Sequence, residues 1–182
     1  MKNIFFLVIA AMAIFATPNS LWAQKTESVS HDGRSNEKIK AEIAKRVLDA
    51  YQTKEIYKLM TPGFEAVEQA AVRVEEESGD LCIDSDYFYC TQDMDPNRFE
   101  VKNVNLISKT MAAVHLTLIF DSEGYHNTES IVLIMVQIVE TNNPGTPKWL
   151  VDDVWYNMET GSYSSVKQGM IECVIYNQSF SQ

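Results

Sequence analysis

Hydrophobic periodicity changes once along this chain, and that change limits the architectures open to it. From Ser35 to Val74 the apolar residues recur at helical spacing; after Gly79 they alternate. In the first stretch Ile39, Ile43, Val47, Leu48 and Tyr51 form one stripe, with Lys38, Lys40, Glu42, Lys45 and Arg46 opposite. This pattern predicts an amphipathic helix with one buried side. Ser35 is its expected N-cap and Glu37 lies in the first turn. Thr61-Pro62-Gly63 interrupts the pattern. Pro62 suits the opening of a second helix, because the first turn leaves its N–H groups unpaired anyway. Phe64, Val67, Ala70, Ala71 and Val74 supply the second buried stripe, and Glu75-Glu76-Glu77 with Ser78-Gly79 marks its end.

The remainder reads as strand. Leu81–Ile83 and Tyr87–Cys90 are short candidates, and Phe99–Ile107 alternates in part. Met111–Phe120 places Val114, Leu116, Leu118 and Phe120 on one face and Ala113, His115 and Thr117 on the other. Asp121-Ser122-Glu123-Gly124 is a turn, and Ser130–Thr141, apolar on both faces, is a central strand. A turn is expected over Asn142–Pro147, then strands over Lys148–Tyr156 and Met170–Tyr176. Two helices followed by consecutive antiparallel strands predict an α+β fold, with N-terminal helices packed on a bent antiparallel sheet.

The N-terminus predicts export. Lys2 precedes an apolar run from Ile4 to Ala16, Pro18-Asn19-Ser20 breaks it, and Ala23 is the small residue before Gln24. The run is shorter than the roughly 20 residues a spanning helix needs. The expected organisation is a signal peptide over 1–23, a flexible arm over 24–35 and a single α+β domain over 36–182. A periplasmic or secreted location follows, with no membrane span after processing. Loss of the leader removes only Lys2, leaving 14 Lys+Arg against 25 Asp+Glu, a formal charge of −11. That balance repels phosphates and argues against nucleic acid. It suits solubility or a cationic partner.

Cys82, Cys90 and Cys173 are the cysteines. In an oxidising compartment Cys82–Cys90 is the expected bridge, closing a short loop around Asp84-Ser85-Asp86 and worth about 2–3 kcal/mol. A bridge from Cys173 to either of the others, or three thiols, are the alternatives. No CxxC pair occurs and His31, His115 and His126 are scattered, so zinc-finger spacing is absent.

Several segments together resemble a known family. The order is helix, Thr-Pro and helix, then Asp84-Ser85-Asp86-Tyr87-Phe88 and Gln92-Asp93. The Val101–Val104 strand follows, and then Lys148-Trp149-Leu150-Val151-Asp152-Asp153-Val154. Over Lys38–Tyr156 this resembles a YbjP-type family of exported bacterial proteins, whose domain is similar to the cystatin-like or nuclear-transport-factor-2-like fold. The resemblance implies a cone of helices against a bent sheet and no established reaction. The leader lacks the cysteine of lipoprotein members, and the tail after Tyr156 lies outside the match.

The densest acidic group is Asp84, Asp86, Asp93 and Asp95. Its order is not that of an EF-hand, so the expected role is to hold loop backbone through side-chain bonds, with Gln92 assisting and no metal bound. Asp152 and Asp153 fall on a strand, where successive side chains point to opposite faces. One is expected to share a face with Trp149, Val151 and Trp155, the other with Leu150, Val154 and Tyr156. A buried carboxylate there beside Tyr87, Tyr89 or Tyr156 would suit an isomerase-like or hydrolytic enzyme. A structural carboxylate is the simpler reading. Serine-hydrolase, nucleotide-binding and zinc-protease motifs do not occur. The expectation is a non-enzymatic domain without a cofactor that binds an envelope or secreted protein, a peptide or a small ligand. Asp84, Asp86, Gln92, Asp93, Asp153 and Trp155 are the candidate contacts. An inhibitor or immunity protein against a secreted toxin or hydrolase is the second reading.

Overall fold

The structure, a computed structural model, describes residues 35–83, 85–91, 95–140, 143–157 and 162–180. The expected signal peptide and all but the last residue of the expected arm lie outside these, as do Asp84, Gln92 and Asp93.

Ser35 caps helix α1 (Asn36–Gln52), its hydroxyl accepting from the Lys38 N–H. The expected stripe is the buried one: Ile39, Ile43, Val47 and Tyr51 are enclosed. After a turn of 3-10 helix (Ile56–Leu59), Thr61 caps α2 (Pro62–Ser78), with Pro62 opening the helix and the Thr61 hydroxyl accepting from the Phe64 N–H at 3.0 Å. Gly79 ends α2 in the left-handed region, φ +78°, where a side chain would be strained.

Five antiparallel strands follow as a meander in the order β1 (Arg98–Leu106), β2 (Met111–Ser122), β3 (Tyr125–Glu140), β4 (Asn143–Asn157) and β5 (Tyr163–Ser165). The chain closes with α3 (Val166–Phe180). The fold is α+β, with the helices packed on the sheet. β3 lies inside the sheet, between β2 and β4, as its two apolar faces required. Asp121 and Ser122 still belong to β2, so the turn itself is Glu123-Gly124, with Gly124 at φ +80°.

Four expected elements differ. Met170–Tyr176 is helix, because Val166, Met170 and Val174 recur at helical spacing behind a serine cap and pack against the core. Leu81–Ile83 and Tyr87–Cys90 are loop and turn, their backbone bonded to the side chains of Glu75 and Asp86. The turn expected over Asn142–Pro147 is shorter, since Asn143 already pairs with Glu140.

Two of the sheet's register shifts are single-residue bulges that shape it. In β1 Val101 pairs with Leu116 and Asn103 with His115, which leaves Lys102 extra; in β4 Val151 pairs with Met135 and Asp153 with Ile134, which leaves Asp152 extra. Each bulge exchanges the buried parity. Phe99 and Val101 face the helices, and beyond the bulge Val104 and Leu106 do; Trp149 and Val151 are followed in the same way by Val154 and Tyr156. Extra residues of this kind bend a strand and increase its twist. On β2 and β3, Val114, Leu116, Leu118, Ile131, Leu133 and Met135 complete that core. The opposite face of the sheet carries a smaller cluster, Ala113, Val132 and Ile134 with Met111 and Trp155.

The outer edge of β4 is occupied beyond the short β5. Arg46 Nε donates to the Trp149 carbonyl at 3.0 Å, and the Thr61 N–H donates to the Val151 carbonyl at 2.8 Å.

Candidate functional site

The expected Cys82–Cys90 bridge is not formed: Cys82 is bonded to Cys173, 91 residues away, and Cys90 is a free thiol. The helical tail is the reason. α3 packs beside α2, so Cys173 is brought to the loop that follows α2, where Glu75 Oε1 accepts from the Cys82 and Ile83 N–H groups at 2.8 and 2.6 Å. Cys90 meanwhile packs against the core at φ +53°, and burial pushes its thiol up to about 12. It is held in the protonated, unreactive form.

The bulge at Asp152 corrects the expected facing of β4. Trp149 and Val151 share the core with Val154, whereas Trp155 lies with Asp153 on the other side. Asp153 accepts four hydrogen bonds: from the Val154 N–H at 2.8 Å, Trp155 Nε1 at 2.6 Å, Ser165 Oγ at 2.6 Å and the Lys167 N–H at 3.0 Å. Ser165 Oγ in turn accepts from the Gln168 N–H. Asp153 thus ties the start of α3 to β4, where a carboxylate also suits the helix dipole. Burial raises its carboxyl, against the four donors that pull it down. Asp152 Oδ1 accepts from Thr61 Oγ1 at 2.8 Å and Lys167 Nζ at 2.9 Å, so one carboxylate joins the N-terminal ends of α2 and α3.

Asp86 lies in a different setting. Its Oδ1 accepts from the Phe88 and Tyr89 N–H groups at 2.9 and 3.1 Å, and its own backbone bridges to Thr91. This is the expected backbone-holding role. The same loop forms one wall of a cleft of about 420 Å³, lined by Tyr57, Glu68, Asp86 and Tyr87 with Ile83, Ser85 and Thr91. Tyr57 comes from the 3-10 turn and Glu68 from α2. The Tyr87 hydroxyl donates to Glu68 Oε1 at 2.5 Å, and Tyr57 lies beside the Asp86 carboxylate. Both phenols titrate above their ordinary range, first through burial and then through the neighbouring carboxylates Asp86 and Glu68. They therefore stay protonated donors at neutral pH.

Of the expected contacts, the structure places Asp86 in this cleft and puts Asp153 and Trp155 in the cap of α3, so the two groups do not form one site. Tyr87 lines the cleft, and the Tyr51 hydroxyl donates to the Phe88 carbonyl behind it. Tyr57 and Glu68 were not anticipated. Glu68 carried a usable signal: it stands four residues after Phe64 and three before Ala71, inside the apolar stripe. No group of three acidic, histidine or cysteine residues that could hold a metal occurs among the described residues. None of their helices is long and apolar enough to cross a membrane. Comparison with known proteins gives no match to a family model, a curated protein or a solved structure.

Proposed function

We propose that this is an exported, non-enzymatic binding domain of the bacterial envelope, which receives an envelope or secreted protein, a peptide or a small ligand in the Tyr57–Glu68–Asp86–Tyr87 cleft. The observation that carries the reading is the engagement of the cleft's own acids. Glu68 accepts from Tyr87, and Asp86 accepts from two backbone N–H groups. Such fixed partners give a shaped, preorganised polar surface rather than a base poised over a substrate. The Cys82–Cys173 bridge supports an oxidising compartment. The order of two helices, meander and bent sheet supports kinship with the cystatin-like or nuclear-transport-factor-2-like fold.

Two measurements test this. N-terminal sequencing of protein from envelope fractions of the native host should begin within a residue or two of Gln24; a chain that retains Met1 there overturns the export reading. A photo-crosslinking side chain at Tyr57 should capture a discrete partner in the same cells, whereas one at the exposed Lys109 should not. Equal capture at both positions, or none at Tyr57, overturns the assignment of the cleft.

A further inference from the structure

We infer that the Cys82–Cys173 bridge is a redox latch: its reduction by a dithiol releases the loop over residues 79–83 and the end of α3 together, while the rest of the domain stays folded. The inference is independent of the cleft and of what occupies it.

Both joined segments depend on the bridge. Gly79 and Asp80 are exposed, and Leu81 is 74% exposed. The Cys82 and Ile83 N–H groups share one carboxylate oxygen, Glu75 Oε1. In α3, Ile175 and Tyr176 face outward, at 43% and 63% exposure. The Asn177 and Ser179 side chains bond to carbonyls of their own helix, at Cys173 and Ile175. Val174 packs against the core but stays partly exposed. A stretch as short as residues 173–180 does not keep helical form in water without tertiary packing. Charge at the joint also favours separation: Glu75, Glu76, Glu77 and Asp80 lie at and after the end of α2, and Glu172 precedes Cys173.

Release has a limit on each side. Tyr87, Phe88 and Tyr89 are buried, Asp86 holds their backbone, and the Tyr51 hydroxyl donates to the Phe88 carbonyl at 3.0 Å. Towards the start of α3, Met170 is buried, and the Asp153 carboxylate accepts from Ser165 Oγ and the Lys167 N–H. None of these contacts involves a bridged sulfur. Gly79, at φ +78° with open space around it, is the hinge at which the loop leaves α2.

Both bridged cysteines are partly exposed, so a dithiol reaches them in the folded chain. Exchange passes two electrons to the bridge. The Cys82–Cys173 bond breaks, the reductant's two sulfurs join as a disulfide, and its two thiol protons pass to the freed cysteines. Cys90 is not drawn in, because its buried thiol stays protonated. Opening the latch uncovers Ile83 and Val174, which the bridged form packs against the core.

The test is hydrogen exchange read by mass spectrometry on the whole chain, with and without dithiothreitol in native buffer at neutral pH. The bridge should reduce without denaturant. Exchange should then rise roughly tenfold or more at residues 79–83 and 173–180 together, and stay unchanged in residues 87–89, α1, β2 and β3. Reoxidation should restore the first pattern. Cys173→Ala should show the released pattern whether or not the reductant is present. Reduction that requires denaturant, loss of protection throughout the domain, or release of one segment without the other overturns the inference. So does a tail that stays protected after reduction.

Discussion

Replacing Cys173 by serine removes the one covalent tie between the tail helix and the loop after α2. With Cys82 and Cys173 separated by 91 residues, a loop-closure entropy of about 2.1 + 1.5R ln n cal/mol/K predicts a stabilisation of about 4.6 kcal/mol near room temperature. A Cys82–Cys90 bridge would have given only about 2–3 kcal/mol by the same reasoning. Contacts that survive the substitution do not alter this figure, because Met170 stays buried and Asp153 still caps α3. The loss falls on the entropy of the unfolded chain. Urea unfolding of oxidised wild type and Cys173→Ser, both in non-reducing buffer, should show a drop of roughly 3–5 kcal/mol. Hydrogen exchange should rise first in α3 beyond residue 173, the part farthest from its cap. A loss below about 1 kcal/mol would refute the reasoning. So would a Cys82–Cys90 peptide in non-reducing digests of wild type.

Asp153→Ala strands four donors and should cost on the order of 3 kcal/mol, with exchange in α3 rising from its first turn. Because the folded carboxyl titrates above its unfolded value, folding takes up a proton between those two pKa values. The margin of wild type over Asp153→Asn in denaturant midpoint should therefore widen as pH falls through that window, and a narrowing margin would contradict the sign. Asp86→Ala should cost about 1–3 kcal/mol by freeing the Phe88 and Tyr89 N–H groups, and added calcium should leave the wild-type melting temperature unchanged. Cys90, with its thiol pushed up to about 12, should resist iodoacetamide at neutral pH in the native state and react promptly in denaturant.

The two N-terminal helices were legible because their signals are local. Ser35, Thr61, Pro62 and Gly79 act within a turn of their own position, and the observed caps use those residues. The long strands were legible from alternation. The bulges were also written in the sequence, as the paired spacings Phe99, Val101, Val104, Leu106 and Trp149, Val151, Val154, Tyr156, in which the apolar parity changes midway. Strict alternation concealed them and gave Asp153 and Trp155 the wrong neighbours. The tail misled through adjacent apolar residues at Cys173-Val174-Ile175-Tyr176, which read as strand, although the Ser165 cap and the Val166, Met170, Val174 spacing favour helix. The cleft was legible only in Asp86 and Tyr87, because its other two walls come from segments that only the folded chain brings opposite them.

A sheet that ends in an unpaired strand can recruit another extended chain, and this one has closed most of that opening. On one flank, Trp149 and Val151 spend their outward carbonyls on Arg46 and Thr61, so an incoming peptide finds those acceptors already taken. The other flank is β1, where Lys102 interrupts the ladder and Arg98 and Glu100 place charge along the rim. Such guarded margins let an open sheet exist without templating the pairing of its neighbours.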